Sequence, residues 1–242
     1  ADESKLPELQ AALKARGLST RAAAGEAACC EAASDPEADA VLLAASGAAG
    51  LPQAFAAAKA GKRMLLANKE SVVCGGALLQ QAIREGGAEL LPVDSEHSAI
   101  FQSLAAATPA QREKAVIWLT CSGGPFLRRM DLTGVTVEEA STHPRWKMGR
   151  KITVDSATLM NKALEVIEAR WLFDIPPERI RVVIHPQSIL HSGVAFEDGA
   201  VMAELGVPDM RTPIAVAMAW PERTESGAAA LDFTKLKEPL TF

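Results

Sequence analysis

The chain has 242 residues, of which 48% are hydrophobic and 23% charged, with a formal net charge of −5. That length buries a substantial core and holds one large domain or two modest ones. The acidic balance with dispersed basic residues argues against a nucleic-acid partner, and no apolar run approaches the ~20 residues of a bilayer span, so no membrane partner or secretory signal is expected.

Leu6, Leu9 and Leu13 recur at helical spacing and Gly17 supplies a stop, which predicts a first helix. A short strand over 21–24 and a second helix through Cys29 and Cys30 follow. Residues 39–45 are a continuous apolar run, the pattern of a parallel strand covered on both faces. The run opens into the small-residue turn Ser46-Gly47-Ala48-Ala49-Gly50 and another helix. The next buried strand, 63–67, ends in Asn68-Lys69-Glu70-Ser71. A helix through Leu78 and Arg84 leads to a strand over 89–93, and Asp94 to Ser98 opens a further helix. Alternating strand and helix signals a parallel α/β sheet. Ligands of such sheets gather beyond the carboxyl ends of the strands, where Gly47, Lys69, Asp94 and Glu96 fall.

From Lys114 the character changes. A strand over 115–120 ends in Cys121-Ser122-Gly123-Gly124-Pro125, and a loop carrying His143, Trp146 and Met148 closes at Gly149. An extended piece over 151–154 and a helix to about Phe173 come next, stopped by Asp174-Ile175-Pro176-Pro177. Strands over 181–185, 189–196 and 200–205 suggest an added sheet in an α+β domain, followed by a helix over 213–220. Cys29, Cys30, Cys74 and Cys121 make no Cys-x-x-Cys pair, so free thiols are expected rather than a zinc site or a disulfide framework.

Asp94 and Glu96 stand two apart at a strand end, where extended backbone points both the same way and a shared cation relieves their repulsion. The competing reading, favoured for the pair alone, is a helix start with Asp or Ser as N-cap. On the later helix Asn161 and Glu165 are spaced i, i+4 beside Lys162, opposite an apolar stripe of Met160, Ala163, Ile167 and Trp171. If Glu165 meets Asp94 and Glu96, three oxygen ligands suit Mg2+ or Mn2+. Ser122-Gly123-Gly124 exposes backbone N–H groups that hold an anion, and Ser156, read as a helix start, does the same. Tight turn, cap and surface lysine are the ordinary alternatives for each. Trp146 reads as part of a lid over a ligand, and one of His185 and His191 as a structural, hydrogen-bonded residue.

Several longer stretches carry a resemblance: Leu65 to Ser71 (LLANKES), Pro92 to Gln102 (PVDSEHSAIFQ), Ser122 to Phe126 (SGGPF), Ile184 to Ser192 (IHPQSILHS) and Pro208 to Ile214 (PDMRTPI). With the segment from Ser141 to Glu165, these motifs, in order, resemble the 1-deoxy-D-xylulose 5-phosphate reductoisomerase family. The resemblance implies a partial Rossmann-like NADPH domain over 1–93 and a metal- and substrate-binding, dimerising α+β domain over 94–242. It implies a bacterial cytoplasmic enzyme, or a plastid one if a transit peptide precedes it, and a homodimer. The implied reaction is a retro-aldol and aldol rearrangement of 1-deoxy-D-xylulose 5-phosphate, then NADPH reduction to 2-C-methyl-D-erythritol 4-phosphate in non-mevalonate isoprenoid synthesis.

Position by position, the resemblance makes Asp94, Glu96 and Glu165 metal ligands, with Ser95 and Lys69 on the substrate beside the metal. It assigns Ser122, Ser156, Asn161 and Lys162 to the phosphate, and His143, Trp146 and Met148 to a closing lid. His191 becomes a further active-site histidine, Met210 a neighbour of the nicotinamide, and Gly47, Asn68 and Gly149 part of the NADPH site. Two parts of the family pattern are not expected in these residues: a Gly-rich first strand-turn-helix and a carboxyl-terminal helical domain. A non-catalytic fragment that keeps the metal and phosphate sites is therefore one rival reading. A different metal-dependent sugar-phosphate isomerase, needing no nicotinamide, is the other.

Overall fold

Three short strands organise the first part of the chain: β1 (Ala40–Leu43), β2 (Arg63–Leu66) and β3 (Glu89–Pro92), in the order β1-β2-β3. β1 and β2 run parallel, with Val41 opposite Met64 and Leu43 opposite Leu66. The computed structural model describes residues 2–144 and 148–242, which divide into two units, 1–91 and 92–242. The expected α/β class is what the chain adopts, a parallel sheet followed by a mixed one.

In the first unit, α1 (Leu6–Ala15) ends at Gly17 as its spacing predicts, and α2 (Gly25–Ala33) spans both early cysteines. The strand expected over 21–24 does not form. Ala24 has extended backbone, but the segment joins no ladder, and Arg21 reaches Glu31 of α2 at 2.6 Å instead. β1 is not covered on both faces among the described residues, with Leu42 53% exposed. α3 (Leu51–Lys59) packs on α4 (Lys69–Gly86), which begins directly at the Asn-Lys-Glu-Ser stretch and bends at Gly76.

The second unit holds α5 (Ser95–Leu104), α6 (Pro109–Lys114) and β4 (Val116–Cys121). After them come α7 (Val137–Ala140), α8 (Arg150–Ala157) and α9 (Met160–Phe173), then β5 (Ile180–Ile184), β6 (Leu190–Ala195), β7 (Val201–Leu205) and α10 (Arg211–Ala219). The sheet order is β5-β4-β6-β7, with β4 parallel to β5 and antiparallel to β6. Parallel neighbours need a crossover, and the one from β4 to β5 contains all of α7, α8 and α9. The core lies where Ile117 and Leu119 of β4 meet Ile100 and Leu104 of α5, Ala169 of α9 and Val194 of β6.

One expectation for the crossover is overturned. Residues 151–154 are helical, not extended, although Ile152, Thr153 and Val154 are β-branched. Gly149 begins the helix, Thr153 donates from Oγ1 to its carbonyl at 2.8 Å, and Lys151 pairs with Asp155 one turn on at 2.7 Å. With α9 packed alongside, these contacts outweigh a propensity of a few tenths of a kcal/mol per residue. In α9 the polar face is the buried one: Lys162, Glu165 and Glu168 are buried, while the apolar stripe is exposed at Met160 (48%), Ala163 and Ile167 (40%).

Candidate active site

Asp94 and Glu96 meet through a helix start, not an extended strand. Asp94 is the N-cap of α5, its Oδ1 accepting the backbone N–H of Glu96 at 3.1 Å and of His97 at 3.4 Å. The cap and the convergence turn out to be compatible. One carboxylate oxygen each from Asp94, Glu96 and Glu165 lie within 4.8 Å of one another. No thiolate or imidazole belongs to that triad, so its chemistry fits a hard, oxygen-seeking divalent cation.

Glu165 is brought there by α9, whose inward face is polar. Its carboxylate accepts from Asn161 Nδ2 at 2.5 Å and from the Lys162 ammonium. Lys162 also donates to Glu96 Oε1 at 2.9 Å and to the backbone carbonyl of Thr120, near the end of β4. The lysine expected to meet a phosphate thus stands between two carboxylates. Burial opposes its charge, but Glu165 and Glu96 outweigh it and raise the Lys162 pKa. Burial, with Glu165 and Asp94 nearby, pushes the Glu96 carboxyl up to about 7 despite Lys162. Ser95 Oγ donates to Glu96 Oε2.

His97 is fully buried behind the carboxylates. Its Nε2 lies 3.0 Å from the Glu165 carbonyl oxygen, and its Nδ1 lies 3.0 Å from Asp94 Oδ1 and 3.4 Å from Glu168 Oε2. Desolvation disfavours the charged ring, yet Glu168 and Asp94 prevail and push its pKa up to about 9. A histidine held above 6.5 adds stability below that pH and loses it as pH climbs through about 9. A carboxyl held above 4.5 loses stability as pH climbs from there through about 7. Both act in one direction, so in EDTA the unfolding midpoint of the chain, taken relative to that of a Glu96→Gln/His97→Gln variant, should fall from about pH 5 to about pH 9. A flat or rising profile would refute the charge assignment of this cluster.

Beyond β4, Gly123 and Gly124 turn the chain with φ of +86° and +70°. Ser122 Oγ accepts from the Gly124 N–H at 3.4 Å and lies 3.1 Å from His143 Nε2. Burial lowers the His143 pKa, so this ring is a neutral partner at pH 7. A Cβ on Gly124 would come within 2.6 Å of the Ser156 carbonyl oxygen. Ser156 is therefore beside the anion loop, but in the last turn of α8 and not at a helix start. Leu159, left-handed at φ 60°, joins the end of α8 to the start of α9.

The remaining candidates are more scattered. Trp146 lies outside the described residues, and Met148 is half-buried just before α8. Gly149 caps α8 with open space around it, and Met210 precedes α10, 38% exposed. His191 on β6 shares a cavity of about 10 Å³ with Ser95, Glu204 and Asp209, roomy enough for one water. Burial lowers its pKa. His185 is the structural histidine, its ring spanning the Thr241 carbonyl at 2.7 Å and the Ile189 N–H at 3.1 Å. Cys121 is a packed thiol with its pKa raised by burial. In the first unit, Asn68 caps α4 through Oδ1 and donates from Nδ2 to the carbonyls of Ala45 and, at 2.9 Å, Gly47. Lys69 is buried in the first turn of the same helix.

His97 and Glu168 are absent from the residues singled out by sequence. A signal for Glu168 existed, because Lys162, Glu165 and Glu168 recur every third residue and share one helix face.

Models of 1-deoxy-D-xylulose 5-phosphate reductoisomerase match residues 1–76, and models of its C-terminal domain match 90–173 and 205–242. The reductoisomerase of Janthinobacterium sp. (strain Marseille) is 56% identical over 236 residues, 96% of this chain. The chain belongs to the 1-deoxy-D-xylulose 5-phosphate reductoisomerase family. Another reductoisomerase, from Pseudomonas paraeruginosa, is 58% identical over 93% of the chain. A crystal structure of DOX-P reductoisomerase in complex with NADPH, fosmidomycin and magnesium superposes with a TM-score of 0.94 at 46% identity, covering 99% of this chain and 61% of that one. The Zymomonas mobilis reductoisomerase in complex with NADPH gives 0.88 at 48% identity, over 98% and 61%. The chain spans about 60% of the length of the curated reductoisomerases it matches.

Proposed function

We propose that this chain serves the NADPH- and divalent-metal-dependent conversion of 1-deoxy-D-xylulose 5-phosphate to 2-C-methyl-D-erythritol 4-phosphate, a step of isoprenoid synthesis. The observation that carries the reading is the convergence of Asp94, Glu96 and Glu165 on one point of the second unit. These three would hold Mg2+ or Mn2+, which when bound polarises the vicinal oxygens of the substrate, while NADPH supplies the hydride. Ser95 and Lys69 would orient the substrate chain beside them. Ser122, the N–H groups that follow it, Ser156 and Asn161 would hold the phosphate, with Lys162 adding positive charge from the carboxylate side. His143, Trp146 and Met148 would close over the substrate and exclude water, with His191 lining the small cavity it shares with Ser95.

Residues 1–93 would form the nucleotide half, with Gly47 and Asn68 at strand ends where a dinucleotide is met, and by family resemblance Gly149 and Met210 would also serve NADPH. Residues 94–242 would form the catalytic half. The outward apolar stripe of α9 supports a homodimer formed through that half. Among the described residues no helix is long and apolar enough to cross a membrane, and the bacterial relatives support a cytoplasmic location.

The test is NADPH consumption followed by absorbance. Oxidation should require both 1-deoxy-D-xylulose 5-phosphate and Mg2+, and EDTA should stop it. Turnover that ignores EDTA, or no turnover at saturating substrate, metal and NADPH, would overturn the reading.

A further inference from the structure

A second layer of charge sits behind the three carboxylates. Glu168 lies one turn beyond Glu165 on the inward face of α9 and is 1% exposed. An apolar residue there would join Val166, Ala169 and Phe173, which already pack into the core. A carboxylate so placed carries a desolvation cost of several kcal/mol unless it is paired. Its partner is His97, which bridges two helices: one ring nitrogen faces the Glu165 carbonyl at 3.0 Å, the other faces Asp94 at 3.0 Å and Glu168 at 3.4 Å. Each of those atoms is an acceptor, so both nitrogens donate. The ring is walled on one side by Phe173, stacked at 6.2 Å with 16° between the planes. Such a ring has one orientation, and that orientation fixes the Asp94 carboxylate on α5 relative to the Glu165 backbone on α9.

We propose that Glu168 is a positioning residue of the metal centre, acting through His97 to hold the Asp94 carboxylate and the α9 backbone at the spacing a divalent cation needs. The proposal rests on the metal reading above. Partners one layer behind the ligands commonly change metal affinity 10–100-fold, because they set ligand orientation and basicity. Glu168 is not one of the three carboxylates of the Asp94, Glu96 and Glu165 group. Its effect travels along a short path, from its carboxylate to the ring and from the ring to Asp94.

Mn2+ titrated by calorimetry into the whole chain tests this, with wild type, Glu168→Gln, His97→Gln and the double variant. One equivalent should bind wild type, each single change should weaken it about 10–100-fold, and the double variant should be no weaker than the weaker single one. A purely structural role would instead lower the unfolding midpoint in EDTA and leave Mn2+ affinity alone. Unchanged affinity in a folded Glu168→Gln, or additive losses in the double variant, overturns the relay. A second Mn2+ equivalent lost with Glu168 also overturns it, because Asp94, His97 and Glu168 would then be direct ligands. If Glu168→Gln fails to fold, Glu168→Met removes the same charge and reads the same affinity. Glu165→Gln is the control: if wild type binds no Mn2+, or this variant binds it like wild type, the metal reading itself fails.

Discussion

Lys162→Met should unfold well below the parent chain when metal is withheld, and regain most of the difference when Mg2+ is added. The Lys162 side chain is 6% exposed, and its ammonium is shared by Glu96, Glu165 and the Thr120 carbonyl. Removing one member of a buried pair leaves uncompensated charge, worth about 3–5 kcal/mol. For a unit of this size that is roughly 6–20 °C in unfolding midpoint. A divalent cation bound by the same carboxylates replaces the lost charge, and binding to the folded state alone raises stability by mass action. The measurement belongs above pH 7, because below it Glu96 takes up a proton and softens the loss. Equal deficits with and without Mg2+ would show that Lys162 is packing and not a counter-charge.

Gly124→Ala should cost the anion site most of its affinity. A methyl group at this position would stand 2.6 Å from the Ser156 carbonyl oxygen, and the φ of +70° already disfavours any side chain. The left-handed backbone adds roughly 1–2 kcal/mol, and relief of the clash moves the loop that carries Ser122 away from Ser156. A loss of about tenfold or more in affinity for inorganic phosphate is expected, since 1.4 kcal/mol is a factor of ten. Gly149→Ala is the matched control, with nothing within 4 Å and ordinary backbone. Equal phosphate binding by both variants would remove the Gly123–Gly124 turn from the site.

Hydrophobic runs made β2 and β4 legible, because a buried strand leaves its pattern in consecutive residues, and the polar start from Asp94 to Ser98 made α5 legible. α8 was hidden because three β-branched residues at 152–154 favour a strand locally, and only contacts with Gly149, Asp155 and α9 reverse that preference. In α9 the helix was legible and its facing was not. Periodicity reports which residues share a face; it does not say which face is inside when the interior is a charged site. The meeting of Asp94 and Glu96 with Glu165 could be stated from sequence only through family resemblance, since Glu96 and Glu165 stand 69 positions apart. The Lys162 contacts with Glu96 and the Thr120 carbonyl were hidden for a related reason: such partners become visible only once the fold has gathered them.

Asp94 has a consequence for how freely this protein can vary. The same carboxylate begins α5, faces the cation site and receives His97. Asparagine would keep the helix start and lose the charge, whereas glutamate would keep the charge and lose the short reach on which the helix start depends. Most positions in a protein answer to one demand and accept a near neighbour. This one answers to three, and aspartate is the only common residue that meets them all.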